Sequence, residues 1–202
     1  MRSEFIKAIK SHQTAFGLEL ADETVERFAD YFDLIQLHNA ILHLVAPCSP
    51  EEFAIRHILE SLVLLKYLPK GVKFADIGAG AGLPAIPCLL VRDDLRAVLI
   101  ESKEKKAAFL DEAVSILGIE TRAKILSRQF TETDPSDCQF VTCRALDKLV
   151  EKLPRLISWS KKRPVILFAG PNVRGALVRS KIKFDESLIP MSERRFIFVT
   201  GQ

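Results

Sequence analysis

No two of the four cysteines, Cys48, Cys88, Cys138 and Cys143, stand in a C-x-x-C pair, which removes the spacing expected of a structural zinc site or a redox dithiol. They are read as reduced core thiols. The four histidines, His12, His38, His43 and His57, form no H-E-x-x-H or comparable ligand pattern, so no metal is expected. No apolar run is long enough to span a membrane, and the opening MRSEFIKAIKSHQ is amphipathic and charged, unlike a secretory leader. These absences predict a soluble, cytoplasmic chain with no membrane partner. Internal repeats are also missing, and so is the composition of a disordered chain: 48% of the 202 residues are hydrophobic and 27% are charged. Such a length buries a sizeable core in one domain, or one domain with a small appendage.

Net charge is small and uneven in placement. The formal net charge is +3, but residues 1–143 hold 16 basic and 21 acidic side chains while residues 144–202 hold 13 basic and five acidic. Lys161, Lys162, Arg163, Arg174, Arg179, Lys181, Lys183, Arg194 and Arg195 would give the last part a positive face suited to phosphate backbones. A merely solvated basic surface is the plainer alternative.

The most specific stretch is residues 74–87, FADIGAGAGLPAIP, which joins a short apolar strand to a helix through Gly78, Gly80 and Gly82. Glycines at alternate positions allow positive φ and let a ligand approach where a Cβ would collide. Pro84 and Pro87 are expected in the first turn of the following helix, where missing N–H groups cost little and the remaining amides face a ligand. A dinucleotide fingerprint is G-x-G-x-x-G, but here Leu83 stands at the third glycine position, and Asp76 beside a pyrophosphate would repel it. S-adenosyl-L-methionine suits the loop better, because an acid near its sulfonium is welcome. Glu101, nineteen residues after Gly82 at the tip of the next expected strand, is placed to accept hydrogen bonds from both ribose hydroxyls. A glycine-rich turn alone occurs in many α/β proteins; its pairing with Glu101 is what points to a cofactor.

Helical spacing of Phe5, Ile6 and Ile9, then of Val25, Phe28, Tyr31, Phe32, Ile35 and Leu42, predicts two helices before residue 46. Ser49-Pro50-Glu51-Glu52 reads as a helix start that runs to Tyr67, and Pro69-Lys70-Gly71 stops it. Residues 1–70 are therefore taken as a helical extension and residues 71–202 as the core. In the core, strands are expected at 73–76, 97–100, 123–126, 140–143, 165–168 and 196–199, with a helix over 105–117 ending at Gly118. Alternating strands and helices imply an α/β, doubly wound, mostly parallel Rossmann-like sheet with its ligand at the carboxyl ends of the strands. Gly78, Glu101, the Gln129-Phe130 pair and Arg144 all fall at or just beyond such ends.

Read in order, Arg56-His57-Ile58-Leu59-Glu60-Ser61, ADIGAGAGLPAIP, LIESKEKKAAFL and Cys143-Arg144-Ala145 resemble the glucose-inhibited division protein B family over nearly the whole chain. The resemblance implies a class I S-adenosylmethionine-dependent methyltransferase acting on N7 of a guanine in 16S ribosomal RNA. Its cofactor contacts match Gly78, Leu83, Gln129, Phe130 and Arg144; Asp76, Gly80 and Glu101 join them on the reasoning above. A structural ion pair is the other reading of Arg144. The chain departs from the family pattern at His43-Leu44-Val45 in place of Asn-Leu-Thr, at Cys143 in place of serine, at Ala169 in place of lysine, and at Phe130 in place of an acid.

No proton-transfer residue is named, because N7 already carries a lone pair and the work is alignment and exclusion of water. His43, His57 and Arg144 are candidates for holding RNA or orienting the base, and Arg56 with the C-terminal basic residues for holding the backbone. Ribosomal RNA or the small ribosomal subunit is the expected partner, and the expected state is a monomer. Two rivals follow from the same residues: a cofactor-binding RNA-binding or assembly protein without turnover, and a methyltransferase of a small molecule or protein.

Overall fold

A computed structural model of the chain describes residues 1–135 and 137–201. Seven strands form one sheet: β1 (Lys73–Ile77), β2 (Arg96–Ile100), β3 (Ala123–Leu126), β4 (Phe140–Arg144), β5 (Val165–Ala169), β6 (Phe184–Leu188) and β7 (Phe196–Thr200). Their order is β3-β2-β1-β4-β5-β7-β6, with β1 to β5 parallel and β7 antiparallel to both its neighbours. The four residues that end β1 and β2 are all buried, as expected of parallel strands covered on both faces. The chain leaves β1 toward β2 on one side and returns to β4 on the other, so a crevice opens at the carboxyl ends of β1 and β4. In register, Ile77 sits beside Ile100 and Cys143, which brings the residues after all three strands to that crevice.

The pleat divides the core between two layers. Phe74, Leu99, Ile166, Phe168 and Ile197 face the N-terminal helices α1 (Arg2–His12) and α2 (Asp22–Leu42) together with α5 (Ala85–Val91) and α6 (Glu104–Ile116). Ala75, Ile77, Val141, Cys143 and Phe198 face α7 (Leu149–Trp159) and α8 (Asn172–Arg179). An aromatic node ties the first layer together: Phe5 stacks on Phe32 at 4.8 Å, and Phe53 meets Phe32 edge-on at 5.0 Å. Burial of such side chains is worth about 1.5–3 kcal/mol each.

Between α2 and β1 the helix expected from Ser49 is present but changes pitch three times. Ser49 Oγ accepts the Glu52 N–H at 3.1 Å and Pro50 occupies the first turn of α3 (Pro50–Phe53). A π-helical turn follows over Ala54–Leu59, then α4 (Glu60–Leu62) and a 3-10 turn over Val63–Tyr67. Wide π turns re-aim side chains that a regular helix would place elsewhere, and often mark functional segments. Here the wide turn carries Arg56 and His57.

Three sequence expectations are corrected. β6 was not expected: its FDESL sequence is mostly exposed at the sheet edge and lacks an apolar face. Pro84 stands at the N-cap of α5 rather than in its first turn, where only Pro87 lies. α5 is also only seven residues long, and its Ile86 amide already donates to the Gly82 carbonyl at 2.7 Å, so the first-turn amides are less available to a ligand than the sequence suggested.

Candidate functional site

The loop after β1 takes its shape from its glycines. Gly78, Gly80 and Gly82 have φ of 70, 56 and 94°, in the left-handed region that side chains with a Cβ avoid. The Gly78 and Ala79 amides donate to the Ile100 carbonyl at 2.8 and 3.2 Å, and this fastens the loop to the end of β2. A Cβ on Gly78 would come within 2.8 Å of Leu146 Cδ1, and one on Gly82 within 2.4 Å of Ile86 Cδ1 and 3.1 Å of Tyr31 Oη. From the helical layer Tyr31, fully buried, donates its hydroxyl to the Ala81 carbonyl at 2.5 Å. Burial and the nearby Asp76 raise that phenol's pKa, so it remains a donor.

Around this loop lies a cavity of about 550 Å³. Gly78, Gly80 and Leu83 form one wall, Glu101, Lys103 and Lys106 another, and Val45 and His57 reach in from the N-terminal helices. The segment after β4 closes the remaining side with Arg144, Leu146 and Lys152. Glu101 Oε2 accepts the Gly80 amide at 3.0 Å and Oε1 accepts the Lys103 amide at 2.8 Å, so the carboxylate is held at the cavity wall with lone pairs to spare. Lys106 donates to the His43 carbonyl at 2.9 Å, and burial beside Lys103 lowers its pKa.

Arg144 leaves β4 on the face opposite Cys143 and enters a buried polar cluster. Its guanidinium donates to Ser61 Oγ at 3.1 Å and to the Arg56 carbonyl, and it lies 3.4 Å from Glu60 Oε2. Arg195, near the start of β7, reaches the other oxygen of Glu60 at 2.6 Å. Glu60 is 1% exposed and is therefore shared between two arginines. A carboxylate so deep survives because both oxygens are paired; removing either arginine would leave buried charge uncompensated. Of the arginines around this cluster, Arg144 lines the cavity, while Arg195 is turned onto Glu60 and the Arg56 guanidinium pairs with Glu52. Burial, with Arg144, Arg56 and Arg195 adding to it, pushes His57 down to about 3, and its Nδ1 has no hydrogen-bond partner among the described residues.

Of the residues singled out from sequence, Gly78, Gly80, Leu83, Glu101 and Arg144 are brought together on this cavity, and Asp76, Gln129 and Phe130 are not among its lining. Asp76 points into the helical layer, the direction the pleat gives Phe74, and is fully buried. Burial pushes its carboxyl well above the usual carboxylate range, partly offset by the Ala85 backbone amide and Arg144; neither oxygen has a partner at normal hydrogen-bond geometry. Gln129 is exposed, and its side chain closes a capping box with Glu132 over a 3-10 turn. Phe130 is 7% exposed in the layer under α7, edge-on to Trp159 at 6.0 Å. Tyr31, Glu60 and Lys106 escaped sequence reading. Tyr31 looks like any apolar position of its helix, and Glu60 lies in a motif whose pairing across 84 and 135 residues has no local signal.

Residues 24–198 match the family described as GidB, rRNA small subunit methyltransferase G. Ribosomal RNA small subunit methyltransferase G of Pelotomaculum thermopropionicum is 38% identical over 62% of this chain and 54% of its own length, so the match spans little more than half of that relative. The protein of the same name from Sorangium cellulosum is 30% identical over 92% of this chain and 77% of its own. Among solved structures, precorrin-6y C5,15-methyltransferase from Geobacter metallireducens superposes with a TM-score of 0.54 at 12% identity, over 70% of this chain and 86% of that one.

Proposed function

Since the chain belongs to the GidB family of rRNA small subunit methyltransferase G, we propose that it transfers a methyl group from S-adenosyl-L-methionine to N7 of a guanine in small-subunit ribosomal RNA. The observation that carries this reading is the cavity at the β1/β4 crevice, where a glycine loop and Glu101 meet Arg144. Its volume suits a nucleoside-sized ligand. The residues fit the cofactor: bare backbone at Gly78 and Gly80 lets it approach, Glu101 accepts from ribose hydroxyls, and Leu83 and Leu146 supply apolar walls. When bound, the cofactor supplies an electrophilic methyl on a sulfonium. Guanine N7 needs no base to expose its lone pair, so the chain's part is to align the purine and exclude water. Arg144 brings a guanidinium to the cavity wall, and the half-exposed Arg56 nearby is suited to an RNA phosphate. His57, held neutral, offers a directional imidazole at the cavity wall rather than a further charge.

The departures from the family pattern bear on whether the site works. Of His43, Val45, Cys143 and Ala169, Val45 alone is among the cavity-lining residues, and its backbone is fixed at both ends by the Asn39 side chain at 3.0 and 3.1 Å. Cys143 is fully buried in the opposite layer. This distribution supports an active enzyme over a paralogue without turnover.

Methyl transfer from labelled cofactor to small subunits lacking the mark, with the modified guanine mapped, tests the reading. Transfer only to a protein or small molecule, or cofactor binding with no transfer to RNA, would sink it. Glu101→Ala is expected to weaken cofactor binding about tenfold or more by calorimetry, because hydrogen bonds to a charged group are worth about 1.5–3 kcal/mol each.

A further inference from the structure

The basic residues of the last third do not make one face. Arg195 is turned inward to Glu60, Arg174 is held by Glu186 at 2.6 Å and lies over Phe196 at 5.0 Å, and Lys161 pairs with Asp134. Lys162, Arg163 and Lys183 instead line a second concavity of about 420 Å³, with Ile157, Ile182 and Gly201 around them. It lies at the amino end of β5 and the carboxyl end of β7, on the edge of the sheet opposite the candidate active cavity. The length of β5, about 17 Å at ~3.3 Å per residue, separates the two.

Two features of this far edge call for an explanation. Lys162 and Lys183 are exposed and have no acidic partner among the described residues; Asp185 lines a neighbouring hollow with Lys183 without pairing to it. The loops that present them also hold lysine in the left-handed region, with φ of 51° at Lys161, 69° at Lys162 and 54° at Lys181. Glycine adopts that conformation without strain, whereas lysine does so at a cost, so these turns carry charge where the backbone favours none. Arg163 is fixed between them by the Cys138 carbonyl at 2.6 Å and the Ser160 carbonyl at 3.2 Å.

We propose that this far-edge concavity is a docking surface for an RNA phosphate backbone, with Lys162 and Lys183 as its cations, separate from the cavity that takes the target base. It rests on the reading that the substrate is RNA. A sheet gripped at both edges fixes its orientation on a folded RNA, since phosphate contacts position a protein without reading sequence. The surface also explains why positive charge gathers where it cannot reach the cofactor.

The test is a salt titration of full-length chain binding to 16S RNA, comparing the unaltered protein with Lys162→Glu/Lys183→Glu and with Lys162→Arg/Lys183→Arg. The glutamate pair is expected to weaken binding at least tenfold and to lower the slope of log K against log salt by about 1.4–1.8, the release expected for two phosphate contacts. Cofactor affinity should not change in either variant, which also shows that both fold. The arginine pair should keep the slope. An unchanged slope in the glutamate pair overturns the proposal, as does a loss confined to binding of RNA-free ribosomal protein. If the unaltered protein methylates RNA while the slope is unchanged, only the docking surface falls. If it transfers no methyl to RNA while the slope still drops, only the catalytic reading falls.

Discussion

Tyr31 and His57 are single side chains that reach the candidate site from the helical layer, one by tying down the glycine loop and the other by lining the cavity. The Tyr31 hydroxyl ties α2 to the Ala81 carbonyl and so links that helix directly to the glycine loop. Tyr31→Phe should lower stability by about 1 kcal/mol and weaken cofactor binding about three- to tenfold. Denaturant titration and calorimetry would check this, and equal affinity in the variant would mean that the loop holds its shape unaided. His57 makes a pH prediction. Its folded pKa of about 3 lies below the unfolded value of 6.5, so the unfolded chain takes up a proton that the fold refuses. The stability it contributes is complete above pH 6.5 and is lost as pH falls from there toward about 3. His57→Asn should therefore show a flatter acid limb in urea unfolding between pH 7 and pH 4, and parallel curves would refute the assignment.

At the scale of elements, the cap of α3 is a clean target because Ser49 is exposed and is not among the cavity-lining residues. Ser49→Ala removes the acceptor for the Glu52 amide and should cost about 1 kcal/mol, or about 2–4 °C in Tm for a chain of this size, with methyl transfer unaffected. That cap was legible in the sequence because its signal is local: serine, proline and two acids in a row. The six expected strands were legible for the same kind of reason, each being a short apolar run between turn residues, and their observed bounds extend the expected ones by one residue at most at either end. β6 was not, since Phe184 to Leu188 alternates nothing and is specified by pairing with β7. The π turn was equally invisible. Its residues read as ordinary helix, and nothing local in Ala54–Leu59 marks the wider pitch. At the site, Gly78 and Glu101 could be placed from strand ends, but the inward turn of Phe130 depends on Trp159, 29 positions away and in contact only through the fold.

Considered whole, the molecule has one principal core that runs from Phe5 through Phe53 and Leu89 to Val199. The N-terminal helices thus cover the face of the sheet on which Asp76 and Phe74 lie. A fragment of residues 71–202 would strip the helical cover from Phe74, Leu89, Leu99 and Phe109, a loss of up to about 6–12 kcal/mol, comparable with the 5–15 kcal/mol that keeps a domain folded. It is expected to aggregate or to melt without a cooperative transition, as circular dichroism would report; a sharp two-state melt would show instead that the sheet and α5–α8 suffice.

The sharing of Glu60 between Arg144 and Arg195 also bears on synthesis. A chain emerging from the ribosome presents the acid first, its first partner 84 residues later and its second only after 135. Until that last hairpin emerges, Glu60 has at most one of its two arginine partners. The order of translation therefore sets when this cluster closes: Glu60 is fully paired only once Arg195, beside the final strand, has been made.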